Sequence, residues 1–275
     1  MKIKYLGTAA AEGIPALFCK CRICENARKQ RGKEIKTRSQ ALVDGKLLID
    51  FPPDTYMHAL YYDFAPEDIR TCIVTHSHLD HLYERDLWCR NPGIANNIEE
   101  APLNMYLTQK GFDMTTDYVA SQNIPETRVK LHLIEPFKPF EADGYTVTPL
   151  KADHDPKANP VFFIIEKDGK AILYANDTGT YPTETVEYLK TCGKHFDLVS
   201  FDCTNVFLNY RGNHMGIVEN AEVKQMLIEL GLCDENTIFV INHFSHNGGG
   251  THEEIVEEAK KYGFVVSYDS LEIEF

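Results

Sequence analysis

The segment Thr75-His76-Ser77-His78-Leu79-Asp80-His81 follows directly on the apolar run Cys72-Ile73-Val74. No other stretch so narrows what the chain can fold into. Three imidazoles and a carboxylate fall within six residues at the end of a predicted strand. The fold must deliver all four to one small volume, a density that scattered surface histidines do not need. Neutral imidazoles and a carboxylate suit zinc, manganese or iron, and the crowding suits two ions rather than one.

The rest of the chain reads as short strands with interspersed helices. Gln40 to Val43 and Lys46 to Ile49 flank Asp44-Gly45, a hairpin signal repeated where Val161 to Lys167 and Ala171 to Tyr174 flank Asp168-Gly169. Further strands are expected over Cys72 to Thr75, Leu103 to Leu107, Tyr145 to Ala152, Leu198 to Asp202, Thr237 to Ile241 and Phe264 to Tyr268. Apolar periodicity predicts helices from Val218 to Leu230 and Glu253 to Tyr262, the second capped by Thr251 and Glu254. Fainter helical patterns span Asp54 to Tyr62, Gln109 to Ala120 and Thr183 to Thr191. Such a mixture implies an α/β protein whose sheets are covered by helices. With no linker or repeat in sight, the expectation is a single domain over residues 1–275.

Charge and apolar content exclude some partners. The 41 acidic residues outnumber the 28 basic ones for a net charge of −13, which repels a polyanion and makes nucleic acid an unpromising ligand. The basic cluster from Lys29 to Arg38 reads as a solvated surface or short loop. No run approaches the roughly 18 apolar residues of a membrane span. Met1 to Gly7 lacks the apolar core of a signal peptide and reads as a first strand, so a cytoplasmic location is expected. That compartment keeps thiols reduced, so Cys72, Cys89, Cys192, Cys203 and Cys233 read as small buried hydrophobes.

The motif at His76 resembles the His-x-His-x-Asp-His signature of the metallo-β-lactamase superfamily. The resemblance implies a four-layer αβ/βα sandwich with a metal site on one edge, and three further ligands downstream. The candidates are His154 in Ala152-Asp153-His154-Asp155, Asp177 in Ala175-Asn176-Asp177-Thr178, and His243 in Ile241-Asn242-His243. Each stands where an apolar strand opens into a polar loop. By the family pattern one divalent ion takes His76, His78 and His154, and the other takes Asp80, His81 and His243. Asp177 bridges the two. The implied reaction is a hydrolysis in which Asp80 counts among the catalytic residues and a hydroxide between the ions attacks the substrate.

Cys19, Cys21 and Cys24 are crowded into six residues and supply three thiolates. A closed structural zinc site needs four ligands, and His246, three residues beyond His243, is the candidate fourth. Gly7 to Cys24, with the His243/His246 pair, resembles a narrower branch that holds the phosphoribosyl cyclic phosphodiesterase of the carbon–phosphorus lyase pathway. That likeness places His214 where a histidine protonates the leaving group, and suggests Asp202 as a residue orienting a metal-bound imidazole. The functional expectation is a phosphodiesterase acting on a small, cyclic phosphodiester. A thioester or lactone hydrolase on the same site is the alternative, as is a non-catalytic accessory protein of pyrroloquinoline quinone biosynthesis. Metal identity and oligomeric state stay open, a homodimer being one option. His58, His132, His195 and His252 read as structural or exposed, Gly248-Gly249-Gly250 as a flexible turn, and Leu87 to Pro102 as a loop shaping the substrate pocket.

Overall fold

The structure, a computed structural model, describes residues 1–98 and 101–275. Among them, one sheet of seven strands contains β1 (Lys2–Gly7), β2 (Gln40–Val43), β3 (Leu47–Ile49), β4 (Thr71–Ile73), β5 (Leu103–Leu107) and β6 (Val129–Leu133). A second contains β7 (Phe140–Ala142), β8 (Tyr145–Lys151), β9 (Val161–Lys167), β10 (Lys170–Ala175), β11 (Leu198–Asp202), β12 (Ile238–Asn242) and β13 (Val265–Val266). The last strand, β14 (Leu271–Glu274), returns to pair with β1 at the edge of the first sheet. Six α-helices accompany them among the described residues: α1 (Arg22–Gln30), α2 (Thr55–Tyr61), α3 (Gln109–Ser121), α4 (Thr183–Thr191), α5 (Ile217–Glu229) and α6 (His252–Lys260).

Alternation along the strands makes the layers. In β9, Phe163 and Ile165 join Ile3, Tyr5, Ala41, Leu47 and Ile73 of the other sheet in a core between the two sheets. Their neighbours Phe162 and Ile164 point the opposite way, into a core closed by Ile23 and Ala27 of α1, Leu189 of α4, Val223 and Leu227 of α5, and Ile255 of α6. A third core lies outside the first sheet, where Leu42, Leu48 and Met105 meet Leu82 and Leu87, with Ala59 of α2 and Phe112 of α3 packed against them. Helix, sheet, sheet, helix is the expected αβ/βα sandwich. Side chains of opposite parity on one strand serve different cores, which is why most of these strands are apolar on both faces.

Local chemistry agrees with that plan. Asp168 and Gly169 both take positive φ, 50° and 77°, in the two-residue turn joining β9 to β10. The Thr251 hydroxyl accepts from Glu254 N at 3.3 Å while Glu254 Oε2 accepts from Thr251 N at 2.9 Å, closing the capping box of α6. Several expectations need correction. Strands β6, β7 and β14 and helix α1 carry little signal: β14 alternates half-buried and exposed residues at the sheet edge, and α1 is short and charged. The strand expected over Phe264 to Tyr268 shrinks to Val265–Val266. Within the basic cluster Lys36 is buried, not solvated, near Ser267 O and the His252 ring. Cys89 is exposed. The Gly248 to Gly250 turn is packed rather than loose, since a Cβ on Gly248 would sit 2.8 Å from Thr204 O and one on Gly250 2.9 Å from the Phe207 ring. No described helix is long and apolar enough to cross a membrane.

Candidate metal centre

Strands β3, β4, β8, β10, β11 and β12 all end at one edge of the sandwich, and each hands a polar residue to it. The residues are Asp50 after β3, His76 to His81 after β4, His154 after β8, Asp177 after β10, Asp202 at the end of β11 and His243 after β12. Three of them, Asp50, Asp177 and His243, sit in the left-handed region with φ of 67°, 51° and 64°. A non-glycine residue there costs on the order of 1 kcal/mol or more, least resisted by aspartate and histidine, and such strain concentrates at functional sites.

The expected trios assemble. Ligand atoms of His76, His78 and His154 lie within 4.8 Å of one another, as do those of Asp80, His81 and His243. His78 Nδ1 is 3.0 Å from His76 Nε2 and 3.2 Å from His154 Nε2. Two imidazoles on one tetrahedral zinc, each about 2.0–2.1 Å from it, stand about 3.3 Å apart, so this spacing fits a shared cation. Asp177 lies between the trios: its Oδ2 is 2.8 Å from His81 Nε2 and 3.1 Å from His243 Nε2, and its Oδ1 faces His154 Nε2 at 3.9 Å. His81 Nε2, His243 Nε2 and Asp177 Oδ2 are nevertheless buried without a hydrogen bond. Short approaches that lack hydrogen-bond geometry are what lone pairs converging on a cation produce, so the residues fit two metal ions.

Behind the trios is a layer of carboxylates and hydroxyls that sequence reasoning largely missed. Asp50, fully buried, accepts from Thr75 N at 2.8 Å and Thr75 Oγ1 at 2.9 Å through one oxygen. Its other oxygen lies 2.7 Å from His81 Nδ1. Thr75 Oγ1 is also 3.0 Å from His76 Nδ1. On the other side Thr204 Oγ1 meets His243 Nδ1 at 2.7 Å and Asp202 Oδ2 at 3.1 Å. Asp155 Oδ2 approaches His78 Nε2 at 3.4 Å. Each contact turns a ring so that its other nitrogen faces the centre. His154 Nδ1 has no such partner among the described residues. The signal for Asp50 was present, since Leu47-Leu48-Ile49-Asp50 repeats the pattern of apolar strand and polar end.

His214 lies beside the cluster, its ring 4.9 Å from that of His154 and 5.9 Å from that of His243. Its Nδ1 is bound to Asp202 Oδ2 at 3.0 Å, leaving Nε2 free to face a ligand, and about a quarter of the side chain is open to solvent. Burial alone would lower its pKa, but the charge and hydrogen bond of Asp202 outweigh that and push it up to about 9. Asp202 is correspondingly held down to about 2, against its own burial, by His214 and His243. Asp202 thus bears on His243 through Thr204 and on His214 directly.

The four side chains of the second expected site also come together. Cys19, Cys21, Cys24 and His246 bring ligand atoms within 4.8 Å of one another. His246 Nδ1 is 3.7 Å from Cys19 Sγ and 3.5 Å from Cys21 Sγ. A tetrahedral zinc with Zn–S near 2.3 Å and Zn–N near 2.05 Å requires about 3.6 Å. Backbone N–H groups of Ala16 and Cys21 point at Cys24 and Cys19 sulfurs. Burial opposes ionisation of Cys21, but hydrogen bonds led by Cys24 N–H bring it down to about 6, while burial pushes Cys24 up to about 12. His58 and His252 are buried structural histidines; His132 and His195 contact Asn104 and Asp234 away from both sites. The segment from Leu87 borders a cavity of about 320 Å³ with Phe51, Tyr56 and Arg90, and no candidate ligand lines it; residues 99–100 of that segment lie outside the described residues.

Comparison with known proteins agrees with this fold. A curated relative, an octanoyltransferase from Porphyromonas gingivalis (strain ATCC BAA-308 / W83), is 26% identical over 267 residues, 94% of this chain and 48% of the relative. The chain therefore spans about half the length of that protein. Among solved structures, a diphosphatase of the PhnP family superposes with a TM-score of 0.74 at 20% identity, covering 100% of this chain and 97% of the other. Zinc-bound PqqB from Methylobacterium extorquens gives 0.74 at 19% identity over 100% of both chains. The short form of human tRNase Z gives 0.67 at 15% identity, over 100% of this chain and 99% of that one. These likenesses are of fold. A family model, the beta-lactamase superfamily domain, matches residues 46–247, from before β3 to beyond the last candidate ligand. The chain belongs to the beta-lactamase superfamily.

Proposed function

We propose that the protein is a dinuclear metal-dependent hydrolase that opens a small, cyclic phosphodiester. The observation that carries the reading is the placement of His214, paired to Asp202 at 3.0 Å, against two ligand trios spanned by Asp177. Two divalent ions held there would supply a water acidified toward neutral pH and positive charge for the substrate's oxygens. The chain's own residues do the rest. Asp177 sets the separation of the trios, Asp50 and Thr204 fix the tautomers of His81 and His243, and His214 Nε2 holds a proton for the departing alkoxide. Asp202 keeps that proton in place at neutral pH and stabilises the positive ring. The structural likeness to a PhnP-family diphosphatase supports phosphoryl chemistry at such a site. Cys19, Cys21, Cys24 and His246 would hold a structural zinc that fixes the loop leading back to His243.

A second reading rests on a separate observation: the octanoyltransferase relative, whose length is about twice that of the stretch matched, is named for acyl chemistry. On that reading the substrate is a thioester. The deciding experiment is hydrolysis of an aryl phosphodiester, ribose cyclic phosphates, a thioester and a lactone by manganese- or zinc-loaded protein, beside His214→Ala. Phosphodiester turnover that falls a hundredfold or more in the variant supports the proposal. Turnover confined to acyl substrates, insensitive to His214→Ala, discards it in favour of the second reading.

A further inference from the structure

A cavity of about 350 Å³ opens beside the first ligand trio, and His154 belongs to both. It lies where β5, β6 and β8 end, bordered by Leu133, Ile134, Pro136, Ala152, Pro156 and Pro160. We infer that this cavity receives an unbranched apolar arm of the substrate, of about six to ten carbons, whose reacting end lies at the metal centre. The inference rests on the hydrolase reading above and extends it from the chemistry to the shape of the substrate.

Three observations carry it. The first is proximity: His154 lines the cavity, while its Nε2 stands 3.2 Å from His78 Nδ1 in the trio. An arm attached to a group at the centre therefore has the cavity within reach, one side chain away. The second is that several polar side chains around the cavity are engaged by residues outside its lining. Lys151 Nζ binds Glu184 at 2.8 Å, Glu135 binds Lys138 Nζ at 2.8 Å, Gln109 Nε2 donates to Asp113 at 2.8 Å, and Asn159 Oδ1 accepts from Lys110 N at 3.0 Å. What remains for a ligand is chiefly hydrocarbon, with the buried Thr108 hydroxyl and His154 Nδ1 making no hydrogen bond among the described residues. An apolar arm suits such a lining better than a charged one. The third is size. At about 30 Å³ per water-sized group, the cavity admits on the order of ten such groups, within the range of small-ligand pockets.

The cavity predicts a slope rather than a yes-or-no response. Each methylene buried against such walls raises affinity up to about fourfold, until the arm fills the space. The test is calorimetric binding of methyl, butyl, hexyl and octyl phosphate to manganese-loaded protein, a measurement that needs no turnover. Affinity rising at least twofold per methylene from butyl to octyl is the expected result. Leu133, about half exposed at the cavity mouth, can be changed without opening the core. Leu133→Glu should flatten the slope and Leu133→Met should preserve it, with melting temperatures showing that both fold. Equal affinity from methyl to octyl overturns the inference, as does a slope unchanged in Leu133→Glu. A slope that stands in a protein that hydrolyses no phosphodiester removes the phosphodiesterase proposal and leaves the arm site in place.

Discussion

Replacing Asp50 by asparagine tests the metal centre without touching a ligand. Asp50 Oδ1 accepts two hydrogen bonds from Thr75, so the asparagine must keep its carbonyl oxygen on that side and turn its NH2 toward His81. Where Asp50 Oδ2 accepted the Nδ1–H of His81 at 2.7 Å, a donor now faces a donor. The ring relieves the clash by moving its proton to Nε2. That is the atom 2.8 Å from Asp177 and 3.1 Å from Asp80, so the nitrogen meant for the metal becomes blocked. Loss of such an orienting carboxylate costs metal affinity about 10- to 100-fold, roughly 1.4–2.7 kcal/mol. The loss should fall on the ion held by Asp80, His81 and His243, whereas the trio of His76, His78 and His154 retains its own. Competition against a chromophoric chelator, with ions counted per chain, reads the outcome directly: one ion weakened in the variant and the other near its wild-type affinity. Unchanged affinity for both ions in a folded variant would falsify the assignment of His81 Nε2 as a ligand.

Other perturbations test other parts of the structure. Asp202→Asn removes the charge that raises His214, so the alkaline limb of the pH–rate profile should move at least one unit toward neutrality; an unmoved limb means that His214 is not the proton donor. His58 is buried between Thr37 Oγ1 and Gln40 Oε1, and burial lowers its pKa to about 3. Its folded pKa lies below its unfolded value of about 6.5, so stability is full above that value and falls as pH drops toward 3, by on the order of 4 kcal/mol. The difference between wild type and His58→Gln in urea unfolding, followed from pH 7 to pH 4, should show that loss; a flat difference curve rejects it. Cys19→Ser should release one zinc per chain while the His76 trio still binds, and elemental analysis that counts the same zinc in both proteins rules out the thiolate site.

Much of this protein was legible along the chain because its chemistry sits at strand ends. A strand delivers a side chain at a fixed height, so an apolar run that stops at a polar residue announces a position on the sheet edge. Asp177, His154 and His243 announce themselves that way, and so does Asp50 once the same rule is applied. The two hairpins and the cap of α6 are equally local, set by Asp-Gly turns and a Thr–Glu pair. The edge strands β7 and β14 and the short helix α1 were not legible, because their stability comes from pairing and packing with distant partners rather than from their own residues. Proximity across the sequence belongs to the tertiary structure alone. Only the two sheets facing each other bring Asp177 within 2.8 Å of His81 Nε2. Only the return of the chain after β12 carries His246 to within 3.7 Å of Cys19. The cavity at His154 exists because three strands end around it, and nothing in the order of their residues encodes the space between them. Sequence specifies which groups are offered and at which strand end; distance, burial and the pKa values that follow from them arise when the sheets close.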